Sequence, residues 1–394
     1  MSELERLIQE LCPNGVEFKK IKEVYKRIKG TPITAGKMKE IENPDGDIRV
    51  FAGGKTVINA FEEDIPNANI TRVPAVLVQS RGVIDAVYYD KPFTFKNEMW
   101  AYTTDNPIAV KFLYYVLKNN VQQFRDAASG MGALPQISLP VTEEFVMPVP
   151  PIEVQGEIVR VLDNFTELTA ELTAELTARK KQYEYYRDEL FRVSEADIFP
   201  ITEIAYTYIG LVTTMTKHYV ENGVRLIHNS SIKENRFEFK DDVFLDEPFA
   251  LKNNNRRHQL DDIVTVHTGD VGTSAVIDES LDGSLGFATI VSRIYDKSKV
   301  LPKYLCYYLN SHENKCNITS MIKGDRSNLN LKDFNKLTIP VPPIEEQQRV
   351  VEILDRFDAL CNDISAGLPA EIEARQKQYE YYRDKLLTFK EASE

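Results

Sequence analysis

Hydrophobic positions along the chain keep two different periods. In two long stretches they recur every three or four residues. The first runs Leu162, Phe165, Thr169, Leu172, Leu176, Arg179, Tyr183, Tyr186, Leu190, and the second Leu354, Phe357, Cys361, Ile364, Leu368, Ile372, Arg375, Tyr379, Tyr382, Leu386. That spacing keeps one stripe of a helix apolar and predicts two coiled-coil seams, on helices of some forty residues or about 60 Å. Each helix is announced by a proline pair, in Pro148-Val-Pro-Pro-Ile-Glu-Val-Gln155 and Pro340-Val-Pro-Pro-Ile-Glu-Glu-Gln347. Proline suits a first helical turn, and Glu153 and Glu345 stand where the helix dipole favours negative charge. Elsewhere the apolar runs are short and turn-bounded. Ala75–Val78, a polar turn and Val83–Tyr89 read as strand, turn, strand, and so do Asp262–Val266, a glycine turn and Thr273–Ile277. A helical period follows each pair, at 109–117 and 302–309.

The pattern is one module written twice. Ile21-Lys-Glu-Val24 returns as Ile201-Thr-Glu-Ile204, 180 residues on; Ile152 returns as Ile344, 192 residues on. The expected organisation is a first globular domain at 1–147, a first spacer helix at 148–194, a second globular domain at 195–339 and a second spacer helix at 340–394. The fold class is α+β: two similar globular domains separated by two long antiparallel coiled-coil helices, a pseudo-two-fold tandem repeat. The helical copies are nearly identical, as in Ala178-Arg-Lys-Lys-Gln-Tyr-Glu-Tyr-Tyr-Arg-Asp188 and Ala374-Arg-Gln-Lys-Gln-Tyr-Glu-Tyr-Tyr-Arg-Asp384, whereas the globular copies have drifted apart. A faithful surface suits two copies of one partner; a divergent one suits two targets. The helices would act as a ruler between the heads. Thr169-Ala-Glu-Leu172 and Thr173-Ala-Glu-Leu176 repeat a four-residue unit in the first helix, and Gly367 and Pro369 are expected to kink the second.

Composition adds bounds. With 394 residues, 43% hydrophobic and 27% charged, the chain suits two soluble domains with connecting helices, and its net charge of −12 argues against a bulk polyanion binder. Cys12, Cys306, Cys316 and Cys361 form no Cys-x-x-Cys pair, which fits reduced thiols. Without a signal pattern or an apolar run near about 18 residues, the chain reads as soluble, cytoplasmic and not membrane-bound. All five histidines (218, 228, 258, 267, 312) lie in the second module in no recognised ligand spacing, so no metal is expected. Trp100 reads as core or edge packing. Phosphate-loop, dinucleotide, nucleophile-elbow and amino-methyltransferase motifs are absent, which points to recognition rather than catalysis.

Nucleic-acid contacts need basic and amide groups on turns. In the first half the candidates are Lys37, Lys55 in Gly53-Gly-Lys55, Arg81, Lys96, Asn97 and Ser129. In the second they are Thr214, Lys217, His218, Asn255, Arg256, Arg257, His258, His267, Thr268, Arg326 and Asn328. Any one of these alone is more often a solvated loop; Asn253-Asn-Asn-Arg-Arg-His258 is the strongest single run. The candidate partner-binding or helix-seam set is Leu162, Phe165, Tyr183, Tyr186, Leu354, Phe357, Tyr379 and Tyr382. A seam within the chain is the simpler reading, and a two-helix seam also leaves grooves for a partner.

Taken together, the Pro-Val-Pro-Pro-Ile-Glu-x-Gln boundaries, the Gly210–Tyr219 and Gly324–Leu331 runs and the Thr-Ala-Glu-Leu repeat resemble the specificity subunits of type I restriction–modification enzymes, from end to end. The resemblance implies two target recognition domains, each reading half of a split site on double-stranded DNA. It implies helices that set the gap and hold two methyltransferase subunits, to which restriction subunits can add. No cofactor is then expected on this chain, because S-adenosylmethionine and ATP belong to those partners. The competing reading is a two-headed protein- or peptide-binding scaffold without DNA binding; a methyltransferase in its own right ranks third.

Overall fold

Pro151 and Pro343 each stand between a short strand and a helix in the computed structural model, which describes residues 3–54, 56–129, 134–192, 196–322, 328–362 and 367–392. Val146–Val149 pairs antiparallel with Glu17–Lys20, and Thr338–Val341 with Asp197–Pro200. Pro148 and Pro340 therefore belong to strands, and the helices start at Ile152 and Ile344, a few residues later than the sequence pattern alone suggests. The principal helices are α1 (Pro107–Asn119), α2 (Ile152–Phe191), α3 (Pro302–Leu309), α4 (Ile344–Asn362) and α5 (Leu368–Leu386). The first spacer is one helix of 40 residues. The second is described as Ile344–Asn362 and Leu368–Leu386, 19 residues each, and residues 363–366 between them lie outside the described residues. Pro369 in the first turn of α5 lacks an N–H and disfavours helix in the residue before it, so a helix begins here more readily than it continues.

The chain divides into two compact units, Met1–Glu171 with Ile372–Glu394, and Leu172–Glu371. Each unit is thus a globular head with the start of the helix that follows it and the end of the other spacer.

In the first unit, strands β1 (Lys26–Lys29), β2 (Ala75–Gln79), β3 (Asp85–Tyr89) and β4 (Trp100–Thr103) form an antiparallel sheet in the order β1-β4-β2-β3. α1 covers one face, burying Phe112, Leu113 and Val116 against Val76, Val78 and Tyr102. A second sheet of Ile48–Phe51, Val57–Ala60 and Phe93–Phe95 has its own small core around Ile48 and Val50. Trp100 is buried and donates from Nε1 to Thr142 Oγ1 at 2.9 Å, as core packing requires. Val16 closes the unit from the other end of the chain: its N–H donates to Lys390 O, and its carbonyl accepts from Ala392 N, both at 2.9 Å.

The second unit repeats this plan. β5 (Ala205–Ile209), β6 (Ile263–Val266), β7 (Ser274–Val276) and β8 (Thr289–Ile294) are ordered β5-β8-β6-β7, all antiparallel, with α3 on one face. The registers correspond as well. Val76 faces Tyr88 and Tyr102 in the first sheet; Ile263 faces Val276 and Ser292 in the second. A further sheet of short strands, Tyr219–Val220, Phe244–Leu245, Val224–His228 and Leu285–Phe287, stands where the first unit has three strands.

The apolar stripes meet inside each unit. In the first, Leu162 is fully buried and Phe165 stacks on Tyr382. In the second, Leu354 is fully buried, and Phe357 lies against Tyr183 and Tyr186, while Cys361, one turn on, feels the charges of Arg179 and Lys180. As numbers rise on α4 they fall on α2, so the two helices run antiparallel there.

Candidate nucleic-acid interface

Most of the loops picked out in the first head converge. Gly54 and Gly82 both have positive φ, +74° and +79°, a backbone that favours glycine, and this allows the two turns to touch. Gly54 N–H donates to Arg81 O at 3.1 Å, and Gly82 N–H to Pro135 O at 2.8 Å. Gln136 bridges to both Arg81 and Ser129. The result is a groove of about 850 Å³ lined by Gly53, Gly54, Arg81, Lys96 and Leu134, among others. Arg81 is exposed and makes no ion pair among the described residues, whereas Lys96 is held by Glu98 at 2.9 Å. Lys37 sits in the first turn of Ala35–Ile41, where Thr34 Oγ1 caps its N–H, and its ammonium pairs with Glu40. Asn97 is exposed but lines a separate cleft beside Arg27 and Trp100. Lys55 and Arg326 lie outside the described residues.

In the second head the candidates fall into two groups. Thr268 and Asn328 form a bridge equivalent to that of Arg81 with Gln136. His267 Nδ1 meets Leu329 O, Leu329 N–H donates back to His267 O at 2.9 Å, and Asn229 Nδ2 donates to Thr268 O at 3.2 Å. Thr268 and Asn328 are exposed there. The other group surrounds Asp246. This carboxylate caps Glu247–Lys252 through Phe249 N–H at 2.7 Å and holds His218 Nδ1 at 2.7 Å. Those contacts lower its pKa, the Phe249 N–H foremost. His218 also stacks on Phe249 at 4.2 Å, while Thr214 and Lys217 beside it are exposed.

The Asn-Asn-Asn-Arg-Arg-His run behaves differently from a surface loop. Asn255 is exposed, but Arg256 Nη1 donates to Gly210 O at 2.6 Å. Arg257 is tied to Glu247 at 2.7 Å and to Gly283 O at 3.3 Å. His258 is 1% exposed, with Nδ1 at 2.9 Å from Ser284 Oγ, so it packs inside the head instead of meeting a ligand from solvent. Burial first, and then the nearby Arg293 charge, push its pKa down to about 3. Arg293 itself is a structural hub, donating to both carboxylate oxygens of the buried Asp262 and to Arg257 O. The pairing of Asp262 with Arg293 across the sheet has no local signature in the sequence.

The helical candidates gain two members. Tyr183 is 5% exposed and belongs to the seam, whereas Tyr186 and Tyr382 are 43% and 40% exposed. Tyr185 and Tyr381, off the apolar stripe, are more exposed still, at 62% and 63%. Tyr185 meets Tyr186 edge-on at 5.5 Å and 75°, and Tyr381 meets Tyr382 at 5.4 Å and 75°. The repeated Tyr-Glu-Tyr-Tyr carried that signal.

The family model of the type I restriction modification DNA specificity domain matches this chain twice, over residues 13–179 and 206–374. The chain belongs to that family. The specificity subunit of the EcoR124I/EcoR124II type I restriction enzyme of Escherichia coli is 32% identical over 360 residues, covering 87% of each chain. A putative type I restriction enzyme specificity subunit of Haemophilus influenzae is 34% identical over 291 residues, 71% of this chain and 72% of that one. Among solved structures, the type I restriction-modification S subunit of M. genitalium superposes with a TM-score of 0.61 at 16% identity, over 95% of this chain and 96% of that chain. A chain from a structural study of assembly and conformational transition in the type I system gives 0.59 at 16% identity, over 96% and 98%. The fold of the type I specificity subunit is thus shared end to end. No helix among the described residues of this subunit is long and apolar enough to cross a membrane.

Proposed function

We propose that this specificity subunit reads a bipartite site on double-stranded DNA, one head to each half-site, and docks two methyltransferase subunits without catalysing a reaction itself. The observation that carries the reading is a contrast. The exposed tyrosine pairs at 185/186 and 381/382 repeat to within 0.1 Å, while the head loops share a bridge but not their side chains. Equal helical surfaces suit two equal partners, and tyrosine is a side chain well suited to such contacts. Unequal loops suit unequal half-sites. Arg81 offers a bidentate donor fork for guanine in the first head, and Thr268 and Asn328 offer hydroxyl and amide groups in the second. The phosphate grip would be shared with the partners. S-adenosylmethionine would reside on the methyltransferases and ATP on restriction subunits joining the same core, and the assembly would work in the cytoplasm.

Membership of the family leaves the protein-scaffold reading without support. Native mass measurement of the complex with saturating methyltransferase tests the docking: two per chain is expected, and one per chain would refute it. Methylated-base sequencing of cells with and without the gene tests the reading: a split motif should vanish with the gene.

A further inference from the structure

The two units are built alike around a repeated triad, and differ beside it. In the first, Tyr115 Oη donates to Asp163 at 2.5 Å and Lys111 pairs with the same carboxylate at 2.7 Å. In the second, Tyr307 donates to Asp355 at 2.7 Å and Lys303 pairs with it at 2.7 Å. The triads fix the correspondence. Tyr114 of the first unit becomes Cys306, one residue before Tyr307, and Tyr88, which faces Val76 across the sheet, becomes Val276, which faces Ile263. In the first unit the rings of Tyr88 and Tyr114 lie 6.3 Å apart, with the Lys111 ammonium 5.3 Å from the Tyr88 centroid. Aromatic rings and a cation occupy that place. In the second unit both rings are missing, and Val276 and Cys306 line an open cavity of about 360 Å³, together with Lys303, Asp355 and Tyr307 of the triad.

The cavity's charge has changed too. Thr166, one turn after Asp163, becomes Asp358, one turn after Asp355, and Asp278 and Glu279 stand on the rim. None of Asp278, Glu279 and Asp358 makes an ion pair among the described residues; Asp278 accepts from Ser280, and Asp358 accepts from Asn362 Nδ2 at 2.9 Å and from Asn235, with Arg236 acting on it from further off. Burial raises the pKa of Asp358, outweighing its hydrogen bonds from Asn362 and Asn235 and the charge of Arg236. A partly apolar floor vacated by two rings, beside three carboxylates that no cation neutralises at ion-pair distance among the described residues, describes a ligand. We infer that the second unit carries a binding site for a small aromatic cation, one flat ring bearing one amine or amidine, which lies on Val276 and Cys306 and directs its charge to Asp358. The volume suits one such molecule. Because the first unit fills the same place with its own side chains, the stoichiometry is one per chain, unlike the twofold docking on the helices. The inference does not depend on DNA reading.

Calorimetry on the full chain with tyramine, and with 4-ethylphenol as its uncharged analogue, tests it. Tyramine should bind one per chain and roughly tenfold more tightly than 4-ethylphenol, the worth of one modest charge pair. Cys306→Tyr, which restores the first unit's side chain, should abolish binding. Asp358→Asn, nearly equal in size, should weaken tyramine several-fold and leave 4-ethylphenol unchanged. If Cys306→Tyr does not fold, Asp358→Asn decides alone. No binding of tyramine at millimolar concentration, two sites per chain, equal affinity for the two probes, or indifference to Asp358→Asn would each overturn the inference. DNA retention, assayed separately with the methyltransferase present, reports on the proposed function whichever way this result falls.

Discussion

The ring of Phe165 stacks on that of Tyr382, with centroids 5.5 Å apart and planes at 22°. The pair recurs with the helices exchanged, Phe357 meeting Tyr186 at 5.9 Å and 26°. In both cases the phenylalanine comes from the start of one spacer and the tyrosine from the end of the other. The duplication has therefore preserved a contact and not only a sequence.

Phe357→Ala and Phe165→Ala should each lower stability by about 2 kcal/mol, less than a fully buried phenylalanine because both rings are only partly buried. Tyr381→Ala, 63% exposed, should change stability by under about 0.5 kcal/mol yet weaken methyltransferase loading. Urea unfolding and a titration with the partner separate the two effects. A Tyr381→Ala variant that unfolds early but loads normally would reverse their roles.

Deleting Thr173–Leu176 takes four residues from the middle of α2, which runs unbroken through them. The helix loses about 6 Å but turns by about 400°, close to one full turn, so the buried stripe stays in phase. Both half-sites should persist while the unspecified gap shortens by about one base pair, given the rise of about 3.4 Å per base pair and a span shared by two spacers. Removing two residues should break phase and lower activity outright. Mapping methylated sites in cells carrying each deletion checks this; an unchanged gap at full activity would show that α2 does not set the spacing.

His258 ties the stability of the second head to pH. Its folded pKa of about 3 lies below the ordinary histidine value of about 6.5, so between these limits the unfolded chain binds a proton that the folded chain refuses. Stability should therefore fall as pH drops below about 6.5, by up to about 1.4 kcal/mol per unit from this group, and level off near pH 3. Urea midpoints at pH 7.5 and 5.5 measure it. His258→Asn should flatten this part of the profile while costing stability at neutral pH, and a profile equally steep without the imidazole would assign the effect elsewhere.

Arg81→Ala should relax one position of one half-site and cost roughly 1–3 kcal/mol on the cognate sequence. A uniform loss on all sequences that fades with salt would mark Arg81 as a phosphate contact. Competition binding against single-base variants at two salt concentrations distinguishes the outcomes.

The spacers were the most legible part of the chain, because Leu162, Phe165, Leu354 and Phe357 enforce a helical period that short strands never match. Gly367 and Pro369 stand at the start of α5, at Leu368. The second sheet of each head was not readable: Val224–His228 pairs in parallel with Leu285–Phe287, some sixty residues away, and strands of two to five residues leave too little alternation to count. In the first head the glycine turns converge, since positive φ at Gly54 and Gly82 is what lets them meet, and no sequence pattern announced that meeting. In the second, the Asn-Asn-Asn-Arg-Arg-His run was the strongest candidate for nucleic-acid contact, yet Gly210, Gly283 and Ser284 supply its arginines and histidine with partners from distant segments.

The first unit is assembled from segments far apart in sequence, and that has a consequence in time. At roughly 5–20 residues per second, the ribosome needs about 10–40 seconds to pass from Glu171 to Ile372, through the whole of the second unit. During that interval the first head must stand with Phe165 bare of Tyr382 and Val16 without its partners at Lys390 and Ala392. The second unit, contiguous in the chain, is completed first. The head that is born earlier is finished later, and its unpaired strand edge and uncovered rings are the surface a nascent chain of this kind has to protect from its neighbours on the same message.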